Sequence, residues 1–384
     1  MALKLARRSG IPPFIAMDVL RAANERAASG ADVLHLEVGQ PATPAPKGVL
    51  AAARTALERE TLGYTDALGV PALREAIARH YRTSYGVALD PARIVVTTGS
   101  SGAFLLAFLA AFDEGDRVAM ASPAYPAYRN ILAALGLVPL ELAAGPAERY
   151  QMSVDLLRRH AGDLAGVIVA SPANPTGTML APDELASLAR YCRDMGMRLV
   201  SDEIYHGIVY GKTAATALAT SDDVIVVNSF SKYFSMTGWR LGWMVVPPDM
   251  LRTVECLAQN LFISPPALAQ HAAIAAFDCH DELQANVARY AENRTLLLEE
   301  LPRAGIDTFA PADGAFYLYA DIAALTNDSV GFCQRMLREI GVACTPGVDF
   351  DPMRGHATMR LSFAGSTDTI AAAARRLIDW RQRR

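Results

Sequence analysis

Ser229-Phe230-Ser231-Lys232-Tyr233-Phe234-Ser235-Met236-Thr237-Gly238-Trp239-Arg240-Leu241-Gly242 is the stretch from which the rest of this chain can be read. It follows the apolar run Val224-Ile225-Val226-Val227. A run without polar alternation reads as a buried parallel strand, covered on both faces. One lysine, two serines and an arginine stand at its end. The amine can form a Schiff base with an aldehyde. The serines and the arginine can hold a phosphate. Pyridoxal 5′-phosphate carries both groups. Taken alone, Lys232 reads first as an ordinary surface lysine in a strand-to-loop turn.

Lysine scarcity narrows the choice. Of 36 Lys+Arg residues only Lys4, Lys47, Lys212 and Lys232 are lysines. An imine needs a primary amine whose pKa its surroundings can lower, which arginine cannot supply. Lys4 is near the terminus, Lys47 lies between Pro46 and Gly48, and Lys212 follows Gly211 in a turn. Lys232 alone follows a buried strand among small hydroxyl residues.

The 384 residues suit two domains, or one large α/β domain with an appendage. With 52% hydrophobic and 20% charged residues the chain is globular and soluble in composition. A formal charge of −4 leaves no basic footprint for nucleic acid and no polybasic patch for a membrane. Five scattered cysteines without a C-x-x-C pair argue against a disulfide framework and a zinc site. The first residues carry no apolar leader, which makes the cytoplasm the expected compartment. The uncharged runs 94–112 and 256–277 are interrupted by Thr97-Thr98-Gly99-Ser100-Ser101-Gly102 and by Pro265-Pro266, so neither reads as a membrane span.

Between residues 94 and 246 short buried strands alternate with helices, which predicts a mostly parallel sheet. Strands are expected at 94–98, 117–121, 138–142, 166–170, 198–202 and 241–246. Helices are expected at 16–29, 48–60, 71–85, 101–112, 128–135, 153–160 and 182–195, with a long helical segment over 249–301. Strands at 33–38, 315–319, 342–345 and 358–363, with helices at 330–340 and 367–376, form an α+β pattern. The expected division is a large domain over 45–285 and a small one built from 1–44 plus 286–384.

In open α/β sheets, ligands sit at the carboxyl ends of the strands. Gly99-Ser100-Ser101-Gly102 opens a helix there, and free N–H groups at a helix start attract anions. Close-packed small residues would look the same. Tyr125, between Pro123 and Pro126, could stack on a flat ring or anchor its loop. Asn174-Pro175-Thr176-Gly177 offers an amide donor, or is a plain turn. Asp202 ends a strand, where a buried carboxylate is costly unless paired. A pyridinium N–H would pair with it, and a helix N-cap is the alternative. Arg360 interrupts an apolar strand and calls for an anion, whether a substrate carboxylate or an internal acid. Gly207–Thr213 mimics a P-loop but has one residue too few between its glycines. His206 reads as structural.

Together these segments resemble the class I aminotransferases of pyridoxal phosphate fold type I. The Lys232 block is similar to the family's S-x-S-K-x-F-x-M-x-G-W-R-x-G pattern. Asn174–Gly177 matches N-P-T-G, and Asp202-Glu203-Ile204-Tyr205 matches D-E-x-Y. Gly63-Tyr64 with Gly69 and Leu73-Arg74 matches G-Y-x-x-x-x-G-x-x-x-L-R. The similarity runs from Ile11 to Arg360.

The resemblance implies a PLP-dependent amino acid:2-oxo acid aminotransferase working in ping-pong order. It implies that Lys232 forms the Schiff base and shuttles the proton. Asp202 would pair with the pyridine nitrogen, Tyr205 and Asn174 with the ring hydroxyl oxygen, and Tyr125 with the ring face. Ser100, Ser101, Ser229 and Arg240 would bind the phosphate. Tyr64 would reach it from the second subunit of a homodimer. Arg360, Gly39 and Asn174 would take the substrate carboxylate. Ser231, immediately before the lysine, need not face the phosphate even though Ser229 would. Phe14, Ile15, Phe262 and Ile263 are expected near the side-chain pocket. An aspartate, aromatic or neutral substrate stays open. A C–S β-lyase of the same fold is the alternative reaction, and a PLP-fold regulatory domain a remote one.

Overall fold

The computed structural model describes residues 3–160 and 162–383. In chain order, β1 (Leu34–His35) precedes the strands of the large sheet: β2 (Ile94–Thr97), β3 (Arg117–Ser122), β4 (Val138–Ala143), β5 (Gly166–Ala170), β6 (Arg198–Asp202), β7 (Ile225–Ser229) and β8 (Gly242–Val245). Their order is β2-β8-β7-β6-β5-β3-β4. Every pair is parallel except those made by β8, which runs against both neighbours. The carboxyl ends of β2, β3, β5, β6 and β7 therefore meet at one edge, together with the start of β8.

The apolar run before the lysine forms β7, and all five of its residues are buried. Val226 packs into the core on one face of the sheet, with Phe230 and Trp243. Ile225 and Val227 pack into the core on the other, with Phe104 and Met244. Each such aliphatic side chain contributes roughly 1.5–3 kcal/mol when fully buried. A central strand covered on both faces holds its last residues, and hence the Lys232 turn, in a fixed place.

The remaining strands are β9 (Thr308–Phe309), β10 (Tyr317–Asp321), β11 (Val342–Ala343), β12 (Thr345–Pro346) and β13 (Thr358–Ser362). β12-β13-β10-β9 form an antiparallel sheet, and β1 pairs with β11. A separate apolar core surrounds them, joining Leu36, Tyr317, Leu361 and Trp380. The helix Ile15–Ala28 and the C-terminal helix Thr367–Gln382 lie against this part.

Several elements differ from expectation. The strand expected over 33–38 pairs only at Leu34 and His35, because the chain then passes between two sheets. The Leu36 N–H donates to the Ala343 carbonyl (3.0 Å), while its own carbonyl accepts from Ser362 (2.7 Å). The strand expected over 342–345 is two strands, broken at Cys344, each half pairing with a different partner. Ala315 lies outside β10, with φ at +56° and its N–H on the Ile208 carbonyl. The helix expected from Tyr128 starts at Pro126, since proline suits a first helical turn. The 249–301 segment divides into helices Leu251–Leu261, Ala267–Ala273 and His280–Glu300. Pro265 and Pro266 separate the first two. Among the described residues no helix is long and apolar enough to cross a membrane.

Candidate active site

Lys232 stands in the turn after β7, partly buried. Its Nζ donates to the Gly39 carbonyl at 2.6 Å. Loss of water pushes its amine down to about 8, helped by the Arg360 and Arg240 guanidiniums and opposed by Asp202. A lowered amine pKa is what imine formation requires. Gly39 itself has no room for a side chain, since a Cβ there would sit 1.5 Å from the Tyr317 hydroxyl oxygen.

Asp202 ends β6 and is 4% exposed. Its Oδ1 accepts from the Ile204 N–H at 3.0 Å, and its Oδ2 accepts from the Tyr128 hydroxyl. The first bond is the local turn expected of a cap, yet no helix follows; Glu203–Tyr210 continues as turns. Burial pushes the carboxyl up to about 6, against the Tyr128 and Ile204 hydrogen bonds and the charge of Lys232. Such a carboxylate is short of a cationic partner.

Tyr205, from the turn after β6, lies 2.7 Å from the Tyr317 hydroxyl. The Lys232 Nζ is 6.0 Å from the centre of its ring. Tyr125 caps the helix Pro126–Ala134, with its ring braced edge-on by Phe14 (5.7 Å) and Tyr128 (5.3 Å).

Arg360, in β13, is 2% exposed. One Nη donates to Asn174 Oδ1 at 2.9 Å, the other to the Glu37 carbonyl and to Thr345 Oγ1 at 3.3 Å. The guanidinium lies 4.4 Å from the Tyr317 ring centre and 4.7 Å from that of Phe350. All these partners are neutral, and the Nε–H has no acceptor. Among the described residues no acid pairs with it. The internal ion pair open to this residue at the sequence level is not formed, so the cation is available to an anionic ligand.

At the other end, Gly99 opens the helix Gly99–Ala111 with φ at +70°. A Cβ on it would meet Arg240 Nη2 at 2.6 Å, so the arginine lies directly against the helix start. Ser100 is half-buried and Ser101 exposed. Ser229 Oγ donates to the Leu241 carbonyl (3.0 Å), accepts from the Ser231 N–H (3.1 Å) and lies 2.9 Å from Ser231 Oγ. The two hydroxyls thus lie within hydrogen-bond reach of each other, a placement the sequence left open for Ser231. A helix start, an arginine and hydroxyls form an anion cradle.

Contacts and charge interactions bring Lys232, Asp202, Tyr205, Tyr125, Asn174, Gly39 and Arg360 together into one cleft, with Arg240, at the start of the helix that carries Ser100, at its other end. Tyr64 is left out. That ring is 83% exposed in the single chain. Of the residues expected near the side chain, Phe14 reaches the cleft through Tyr125, and Ile15 gives its N–H to Asp349 (3.0 Å). Ile263 is exposed with φ at +65°, and Phe262 packs at the edge of the large-sheet core.

Two participants escaped sequence reading. Tyr317 sits in an apolar strand and reads as core. Tyr128 reads as the buried face of its helix, although its spacing of three from Tyr125 places the two rings side by side. His206 is structural as expected. Its Nε2 meets the Ser171 carbonyl (3.0 Å), its Nδ1 the Tyr85 hydroxyl (2.9 Å), and burial pushes it down to about 3.

The residues present fit pyridoxal phosphate. Among the described residues Asp202 has no ion-pair partner, the lowered Lys232 amine is within hydrogen-bond reach of Gly39, and Arg240 lies against the start of the Gly99–Ala111 helix.

A family model described as "Aminotransferase class I and II" matches residues 31–377. A valine–pyruvate aminotransferase of Mycobacterium tuberculosis is 52% identical over 99% of both chains. An aspartate/prephenate aminotransferase of Thermus thermophilus is 33% identical over 97% of both. Among solved structures, an aminotransferase from Mycobacterium tuberculosis superposes with a TM-score of 0.98 at 51% identity, covering 100% of each chain. The Thermus thermophilus aspartate aminotransferase with maleate gives 0.92 at 31% identity, covering 98% of this chain and 100% of its own.

Proposed function

As this chain belongs to the class I and II aminotransferases, we propose that it moves the amino group of a neutral aliphatic L-amino acid to a small 2-oxo acid such as pyruvate. Amino transfer between amino acids and 2-oxo acids, and dependence on pyridoxal phosphate, come with the family. The side-chain preference is our reading. The observation that carries it is the charge count of the cleft. Arg360 and Arg240 are the two cations whose charge lowers the Lys232 amine. With Arg240 at the phosphate end and Arg360 for the α-carboxylate, neither of these two cations of the chain is left to serve a substrate side-chain carboxylate. The name of the 52%-identical relative supports the same choice.

Arg360 would grip the α-carboxylate with its planar fork. Asn174 gives its Oδ1 to Arg360, which leaves its Nδ2–H groups to donate into the cleft. Gly39, where the Tyr317 hydroxyl leaves no room for a side chain, would join Arg360 and Asn174 in taking the α-carboxylate. Asp202 would hold the proton on the cofactor ring nitrogen, Tyr205 and Asn174 would hold the ring hydroxyl oxygen, and Tyr125 would cover the ring face. Ser100, Ser101, Ser229 and Arg240 would take the phosphate, with Tyr64 of a second copy completing it. The bound cofactor supplies an electron sink for the α-carbon. Lys232 would carry the α-proton on Nζ, where a pKa near 8 lets it both take and return a proton around neutrality.

We assign 45–285 to the cofactor-binding domain and 1–44 plus 286–384 to the small domain, in line with the separate apolar core around the small sheet. We also place the enzyme in the cytoplasm, where five unpaired cysteines suit a reducing compartment.

A panel of valine, phenylalanine and aspartate against pyruvate and 2-oxoglutarate tests the substrate. Valine should exceed aspartate at least about tenfold in kcat/KM, since an unmatched carboxylate in a neutral pocket is costly. A preference for aspartate would overturn the substrate and leave the reaction class standing. Pyruvate and ammonia released from a cysteine-type substrate without a 2-oxo acid would favour the lyase.

A further inference from the structure

The carboxylate of Asp202 has one hydrogen-bond donor on each oxygen. Ile204 supplies a backbone N–H to Oδ1, fixed by the turn itself, and Tyr128 supplies a side-chain O–H to Oδ2. Tyr128 is 3% exposed and its ring is packed against two others. Its ring meets Tyr125 at 5.3 Å and Phe104 at 5.1 Å, both edge-on. The phenol therefore has little freedom to swing away. Burial and the neighbouring carboxylate keep it protonated, so it acts as donor and Asp202 as acceptor. The same short helix, Pro126–Ala134, carries Tyr125 at its cap and Tyr128 three residues on. One element thus presents a ring-face residue and a donor to the carboxylate behind it.

We propose that Tyr128 is the positioning residue of Asp202, its O–H holding Oδ2 so that the carboxylate stays charged and turned towards the cofactor ring nitrogen. The proposal rests on the assignment of Asp202 to that nitrogen. A hydrogen bond given to a charged acceptor favours the charged form. Without it, a carboxylate in this pocket takes up a proton more readily, and its pairing with a ring N–H weakens. The other ionisable side chains facing Asp202 do not replace the donor. Tyr125 braces Tyr128, Lys232 acts on the carboxylate by charge, and Glu203 and Tyr205, on Asp202's own turn, hydrogen-bond elsewhere.

The test compares holoenzymes of the wild type, Tyr128→Phe, Asp202→Asn and the double variant. The first readout is the dissociation constant of pyridoxal phosphate by equilibrium dialysis. The second is the acid limb of the kcat/KM profile. Tyr128→Phe should weaken cofactor binding by roughly tenfold or more, the worth of a hydrogen bond to a charged group. It should also move the acid limb to higher pH and lower kcat more than it raises KM. In the Asp202→Asn background the same change should add less than about twofold, because coupled residues are not additive. An unchanged dissociation constant and acid limb in Tyr128→Phe would overturn the proposal. So would an equal loss in both backgrounds, which marks a purely structural role. If Asp202→Asn itself leaves cofactor affinity unchanged, the assignment of Asp202 falls first, and the two failures are told apart.

Discussion

At Arg360 the guanidinium lies between the Tyr317 and Phe350 rings, and its Nε–H points at no acceptor. A buried cation with only neutral partners gains most when a carboxylate arrives. Arg360→Gln should therefore lower kcat/KM for amino and 2-oxo acids alike by roughly a hundredfold or more, chiefly through KM. Steady-state kinetics at equal cofactor content check this, and an unchanged KM would remove Arg360 from substrate binding. Glu203, beside Asp202, gives a pH signature. It is buried, accepts from the Ala217 N–H (2.8 Å) and Ser201 Oγ (3.2 Å), and burial pushes it up to about 7. Between its ordinary carboxylate value and 7 the folded state binds more protons than the unfolded one. Stability from this group therefore falls as pH rises through that window, and its cost is complete above it. Asp202, pushed up to about 6, acts in the same direction. In cofactor-free protein, urea unfolding of Glu203→Gln should lose part of this slope, amounting to roughly 3 kcal/mol at most.

The helix Gly99–Ala111 shows how an element places a site without a conspicuous side chain. Its first residue must be left-handed and must admit Arg240. Gly99→Ala meets both obstacles: a left-handed alanine costs about 1–2 kcal/mol, and the new Cβ pushes the guanidinium off the helix start. Cofactor affinity should drop about tenfold or more while the helix persists, as dialysis and circular dichroism would register. An unaltered affinity would separate the helix start from the phosphate. At the same scale, two residues of β1 and two of β11 pair as a separate two-stranded sheet beside the small one. Leu36 hands its backbone from one sheet to the other, and the chain then delivers Gly39 to Lys232. Periodicity marks apolar runs but not where a strand changes partners, which is why 33–38 and 342–345 read as unbroken strands.

The cleft draws on segments from Gly39 to Arg360, and one expected ligand, Tyr64, stands away from it on the surface. That placement is what a residue donated to a second copy would show. Tyr64→Ala and Lys232→Ala should each be impaired alone, the second without turnover or the visible absorbance of the imine. Refolded together, they should regain activity, because the hybrid dimer holds one cleft with both native residues. Light scattering of the wild type should give twice the chain mass. No recovery in a proven hybrid would place Tyr64 outside the neighbouring cleft.

The sequence by itself determined the strand–helix alternation and the mostly parallel sheet, and it singled out Lys232 among four lysines as the candidate, because a buried strand and a scarce amine are local facts. The resemblance to the family pointed to Asp202, Asn174, Tyr205 and Arg240. Tertiary structure alone decided the fate of Arg360, whose sequence neighbours say nothing of whether an acid lies opposite. It also decided that Tyr128 and Tyr317 belong with the site and that the Ser231 hydroxyl meets that of Ser229. Those facts depend on which hydroxyl ends within hydrogen-bond reach of which partner. Such distances are set by packing between segments 74 and 112 residues apart.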